Sequence, residues 1–373
     1  MSGILIGAAH NLQKPKTVRE YGVSWAVGSS TQLTRLGDAA GFADPSPAVG
    51  TGAGSSPFDS IMPWAGMKEY NVIQSQIAYE KGVDPEFSRT AYDVVISIPK
   101  FWYKIVTSGS EWQLWIANGP KEGYVEHPAF EGKDVIYYGK YATGSGYISR
   151  SGQSPLVSIT RATFRTGARN KGAHWDMLNI AAYSAVTMLY LVEYADWNSQ
   201  AVIGQGYTNG SARVNTGGTN AMSYHTGRAA GTDGQTQIQY RGIEDMWGNV
   251  WQWTDGINFS GTQAYYCLTR ADFGDDKSTG YTRLGYNCPS GSAAFPKSHG
   301  FDANAPWLFL PATVGGSNAS YIPDGWWTST DWRVFRVGGR YDNGLSAGAF
   351  ARTANSASSN SHANSGGRLL FLP

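Results

Sequence analysis

The sequence predicts an α+β fold of short strands, few helices and long packed loops. Three observations lead there. Charged residues make up only 15% of the 373, well below the usual quarter. Glycine is abundant at 47 residues, and aromatic residues reach 13%, with 14 Trp, 22 Tyr and 14 Phe. One long stretch has helical periodicity, while β-branched and aromatic runs recur along the chain. The hydrophobic share of 41% allows a sizeable core. A net charge of +1 leaves no electrostatic footprint for nucleic acid or an anionic membrane. No run of about 18 apolar residues occurs, so membrane insertion is not expected.

The elements follow in order. The opening MSGILIGAAHNLQKPKTVREYG has a short apolar stretch and no leading basic cluster, so no signal peptide is expected. Residues 1–90 read as a small, mostly β region and possible attachment segment, with a linker-like loop at about 43–57 rich in Gly, Pro and Ser. Residues 91–373 read as the main domain. YDVVISIPKFWYKIV, from Tyr92, predicts an edge strand or two short strands divided at Pro99, with EWQLWIA as hairpin partner. Ala173–Ala195 predicts a helix, since Trp175, Leu178, Ala182, Ala185, Leu189 and Val192 recur at three- and four-residue steps. Residues 198–240, rich in Gly, Asn, Thr and Ser, predict loops. In RGIEDMWGNVWQWTDG, alternation puts Trp251 and Trp253 on one strand face, and with Trp247 they form either a buried hub or a stacking platform. Burial is the favoured reading.

The stretch Gly-Asn-Val-Trp-Gln-Trp (Gly248–Trp253) resembles the G-N-V-W-E-W motif of C-type lectin folds of the formylglycine-generating-enzyme (sulfatase-modifying) type. The end of the chain adds to the resemblance through WRVFRVGGRYDNG (Trp332–Gly344) and the Gly-Arg-Leu close at Gly367–Leu369. The likeness covers roughly residues 92–373 and implies a C-type lectin-like fold. The enzymes of that family use a copper-binding cysteine pair in the final irregular stretch, where a thiolate suits a soft Cu(I) site. Here no cysteine follows Cys288, and His362 stands alone in the tail, so no enzyme is expected. Cys267 and Cys288 form one bridge or remain two buried thiols. No cofactor is expected; a structural Ca2+ at Asp272, Asp275 and Asp276 is weighed against a solvated loop, which is favoured because EF-hand spacing is missing.

The tail is informative through what it lacks. From Arg333 to Pro373 there is no Lys, Glu, Gln, Met or Trp, although these five types make up about 15% of the chain. An AAC codon randomised at its adenines yields Asn, Ser, Asp, Tyr, Arg, His, Thr, Ala, Leu, Gly and a few others, and never those five. Adenine-directed mutagenesis is the work of diversity-generating retroelements, and their variable proteins are similar to this chain at Arg336–Gly339, Ala347–Phe350 and Gly367–Phe371. The resemblance implies a hypervariable receptor-binding protein, a phage or prophage tail component of the virion made in the host cytoplasm. Its partners would be a host-cell-surface protein or glycan and other tail proteins, with homo-oligomers allowed. The variable region would span about 328–366. Its expected contact residues are Asp331, Arg340, Tyr341, Asp342, Asn343, Leu345, Ser346, Ala351, Arg352, Asn355, Ser356, Ser359, Asn360, His362 and Asn364. Phe350 is expected to be a buried pin. A formylglycine-generating-type oxidase and a fixed-specificity sugar-binding lectin are the alternatives.

Overall fold

Short strands leave many backbone N–H and C=O groups at their edges, and burial requires each to find a partner. In the computed structural model, which describes residues 18–373, the partners come from distant parts of the chain. Glu20–Ala26 pairs antiparallel along its whole length with Glu111–Ala117, which pairs in turn with Trp102–Ser108. A second sheet runs in the order Trp175–Met177, Leu369–Phe371, Val135–Gly139, Asp93–Pro99, Glu69–Ile73, Gln76–Glu80. The last strand of the protein therefore lies inside a sheet begun by residues 69–73.

The described part of residues 1–90 is thus not a unit of its own. Tyr21, Val23, Phe58 and Trp64 belong to the same buried cluster as Leu189, Trp247, Phe350 and Leu372. The loop at 43–57 is also fastened, because Ala48–Val49 pairs in parallel with Gly227–Arg228. The reason is geometric: a seven-residue strand carrying large apolar side chains needs both a hydrogen-bonded neighbour and a core to face. The signal-peptide reading rests on residues 1–17, which lie outside the described part. No helix among the described residues is long and apolar enough to cross a membrane.

The hairpin reading agrees with the structure. Asp93–Pro99 ends at the proline, and Trp102–Ser108 then pairs with Glu111–Ala117 from Trp102–Ala117 to Ser108–Glu111. The expected helix at 173–195 is corrected at its start, since the helix spans Ile180–Tyr194. Asn179 caps it, its side-chain oxygen accepting from the Ala182 N–H at 2.8 Å. Trp175–Met177, upstream, is instead a strand paired with Leu369–Phe371. The periodicity misled because every residue of the helix is buried, leaving no polar face to mark its phase. A second helix, Arg161–Asn170, was not anticipated. Its Arg161 and Arg165 both reach Asp275, at 2.8 and 2.5 Å, and Arg165 also holds Asp255 at 2.5 Å.

A third sheet carries the C-terminal segment. Trp251–Ser260 is flanked by Gln263–Tyr266 and by Trp332–Val337, and Arg352–Ser356 then lies between Trp332–Val337 and Trp326–Thr328. If residues 18–90 share one core with the rest, Trp64→Ala should cost about 3–5 kcal/mol. Chemical denaturation should show this as a downward shift of one transition; a separate early transition for residues 18–90 would contradict the shared core.

Candidate binding surface of the C-terminal segment

The segment from Trp332 to the C-terminus is held at intervals by its backbone. Trp332–Val337 pairs with Trp251–Ser260, Ser365–Gly366 pairs in parallel with Trp251–Gln252, and Leu369–Phe371 joins the second sheet. After Val337 the chain turns through Gly338 and Gly339, with φ of 91° and 84°. A Cβ on Gly338 would sit 2.8 Å from the Met246 carbonyl oxygen, so both conformation and space demand glycine. The turn ends at Phe350, whose ring is 2% exposed and meets Trp197 edge-on at 4.8 Å. The Phe350 N–H donates to Asp324 Oδ2 at 2.6 Å.

Between these pins two stretches reach solvent. In the first, Arg340 and Asp342 form an ion pair at 2.5 Å, and Asn343 Oδ1 accepts from the Arg340 N–H at 3.0 Å. Tyr341 is half-buried; its N–H donates to the Asn249 carbonyl and its carbonyl accepts from Gly210. Leu345 is 48% exposed and Ser346 half-buried. In the second stretch Asn355, Ser359 and His362 are exposed, while Asn360 and Asn364 are half-buried. Asp331, just before Trp332, has an 80% exposed side chain.

Three expected contact residues are corrected. Ala351, Arg352 and Ser356 are buried, because Arg352–Ser356 is an interior strand with a neighbour on each side. Arg352 is 2% exposed, with its guanidinium 5.7 Å from the Phe350 ring centre. Burial pushes Arg352 down to about 10, partly offset by Tyr183, Tyr286 and Asp324. Of that strand only Asn355 faces outward. Arg352 therefore cannot join Arg340, Tyr341, Leu345 and His362 in a solvent-facing patch.

The tryptophan hub lies beneath. Trp247, Trp251 and Trp253 are all buried, so the cluster offers no stacking platform to solvent. Trp251 and Trp253 do share a face: the Arg336 guanidinium lies 5.6 Å from one ring centre and 5.3 Å from the other. Arg336 donates to Ser365 Oγ at 2.6 Å and to Asn355 Oδ1 at 2.9 Å, tying the second stretch at both ends. Burial, and then the charge of Arg340, push Arg336 down to about 9.

Residues outside the tail also border the surface, and sequence reasoning missed them. Trp327 is half-buried and meets Trp251 edge-on at 5.5 Å. Arg213 reaches the Ala363 carbonyl, and Asp276 accepts from the Ser358 hydroxyl. Their only signal was the loop-like composition around them. The acidic loop of Asp272, Asp275 and Asp276 commits its middle carboxylate to arginine; burial raises Asp275, but Arg161 and Arg165 outweigh it and hold it below the usual carboxylate range. Cys267 and Cys288 are free and buried, and burial pushes both thiols up, away from the reactive thiolate.

A division between scaffold and surface sets an expectation. Trp253→Ala should cost about 3–5 kcal/mol, and Ser359→Ala within about 0.5 kcal/mol. Equal losses in denaturant melts would refute the division.

No protein-family model and no curated protein sequence matches the chain. Among solved structures, a "Major Tropism Determinant P3c Variant" is 12% identical with a TM-score of 0.29, covering 96% of this chain and 73% of that one. A "Major Tropism Determinant U1 Variant" is 13% identical with a TM-score of 0.28 and the same coverage. Likeness at that level leaves fold family and function to be argued from the chain's own residues.

Proposed function

We propose that this chain is a receptor-binding protein of a phage or prophage tail, whose C-terminal segment is a retroelement-diversified recognition surface on a C-type lectin-like domain of the formylglycine-generating-enzyme subtype. One observation carries the reading: the exposed side chains at 340–346 and 355–362 hang between buried pins made by backbone pairing, glycine turns and Phe350. A surface tolerates randomisation where the backbone does not depend on its side chains. The absence of Lys, Glu, Gln, Met and Trp from Arg333 onward supports the same reading, because randomised AAC codons cannot supply them.

Such a surface recognises macromolecules by shape, with Tyr, Arg, Asn and Ser as contacts, as in antibody paratopes. Its partner is a host-cell-surface protein or glycan. Arg340, Tyr341, Leu345 and His362 are the larger side chains available. The same reading gives the chain no catalytic role: both thiols are buried and protonated, and His362 is alone at the surface.

Tyr341→Ala and Arg340→Ala should each weaken adsorption to host cells by about 1–3 kcal/mol, as truncations of interface anchors do, with melting unchanged. Phe350→Ala should lower melting first. Normal adsorption by both surface variants would sink the proposal. The gene's neighbourhood gives a separate check on diversification: a near-copy of the 3′ end differing only at adenines, beside a reverse transcriptase gene, is expected.

A further inference from the structure

A groove of about 410 Å³ opens on the second sheet, and none of the residues assigned to recognition above lines it. Paired residues on adjacent strands share a face, and the register sets Tyr137 opposite Ser97 and Val135 opposite Pro99. Lys68 lies alongside, its carbonyl accepting from the Ser97 N–H at 3.0 Å. Tyr70, Tyr137 and Trp102 are half-buried walls of this groove, and Tyr70 meets Tyr137 edge-on at 6.0 Å. Met62 stands 45% exposed at the rim.

The charges here are already paired. Lys68 holds Glu80 at 2.6 Å, and Lys100 holds Asp134 at 2.7 Å and Glu126 at 3.7 Å. Tyr70 donates its hydroxyl to Glu80. Two polar groups in the walls make no hydrogen bond to the described residues, the Trp102 indole N–H and the Tyr137 hydroxyl. Burial pushes Tyr137 up, so the hydroxyl stays neutral and serves as donor and acceptor. An anionic or cationic ligand would have to compete with closed ion pairs. A neutral ligand with an apolar ring face and several hydroxyls would not.

We propose that this groove binds a neutral hexopyranose unit of a glycan. The C–H face of the sugar packs on Tyr137 and on the part of the Trp102 ring left open by the Lys100 ammonium, which lies 5.6 Å from the ring centre. Its hydroxyls meet the free indole N–H, the Tyr137 hydroxyl and the outward oxygen of Asp134, whose side chain is 91% exposed. The size and the ratio of aromatic wall to a few polar groups fit a small-ligand site. The proposal does not depend on the C-terminal segment being a recognition surface.

The full chain is tested on an array of neutral oligosaccharides built from glucose, galactose, mannose and N-acetylglucosamine, with affinities then measured by titration. At least one saccharide should bind. Trp102→Ala should weaken that binding at least tenfold and Tyr137→Phe several-fold, while Tyr341→Ala leaves it unchanged. Should Trp102→Ala melt the protein, Tyr137→Phe decides, since it removes one hydroxyl and keeps the ring; unchanged affinity then overturns the site. No binding to any saccharide overturns the proposal. So does binding lost in Tyr341→Ala but kept in Trp102→Ala, which moves the sugar to the tail surface. Sedimentation showing that Trp102→Ala dissociates an oligomer overturns it as well, by giving the groove to a second copy.

Discussion

The guanidinium of Arg336 lies against the rings of Trp251 and Trp253, and the C-terminal segment is organised around that contact. Taking an arginine out of water costs several kcal/mol when nothing offsets it. Two aromatic faces and hydrogen bonds to Ser365 and Asn355 supply the offset. Among the described residues no carboxylate takes part. Removing either ring therefore leaves a buried cation short of a partner as well as a cavity.

That arrangement explains how a stretch poor in large apolar side chains holds one conformation. Between Gly338 and Gly366 the chain contributes little to the core except Ala347, Ala349, Phe350, Ala351 and Ala354. Its order comes from what the rest of the fold presents: strand edges at Trp251–Ser260 and Trp326–Thr328, the Asp324 carboxylate, and the Arg336 hub. The exposed stretches then run over a surface that other segments have already shaped. Weaving residues 18–90 into the same sheets adds to this, because the strand that closes the protein, Leu369–Phe371, sits in a sheet that those residues help build.

Much of this was legible in the sequence where residue type alone decides burial. The spacing of Trp251 and Trp253 gave their shared face, and Pro99 marked the break between two strands. Phe350 stood out as the one aromatic residue of the Ala-Gly-Ala-Phe step in a polar stretch. Phase was legible only where one side of an element is polar. The Ile180–Tyr194 helix is buried all round, so the strand before it was absorbed into its pattern. Arg352 was misplaced for a related reason. Its type suggests solvent, but its place in an interior strand buries it, and pairing between distant strands leaves no local mark. The same blindness separated residues 18–90 from a core they share.

The central claim is that the exposed stretches do not hold the fold together. Equilibrium denaturation of a chain carrying Tyr341→Ala, Asp342→Ala, Leu345→Ala, Ser359→Ala and His362→Ala at once tests it directly. Each surface change is worth about ±0.5 kcal/mol, and changes far apart add. The combined variant should therefore stay within about 2.5 kcal/mol of the parent. A loss as large as that from Phe350→Ala alone, about 3–5 kcal/mol for a buried aromatic, would contradict it.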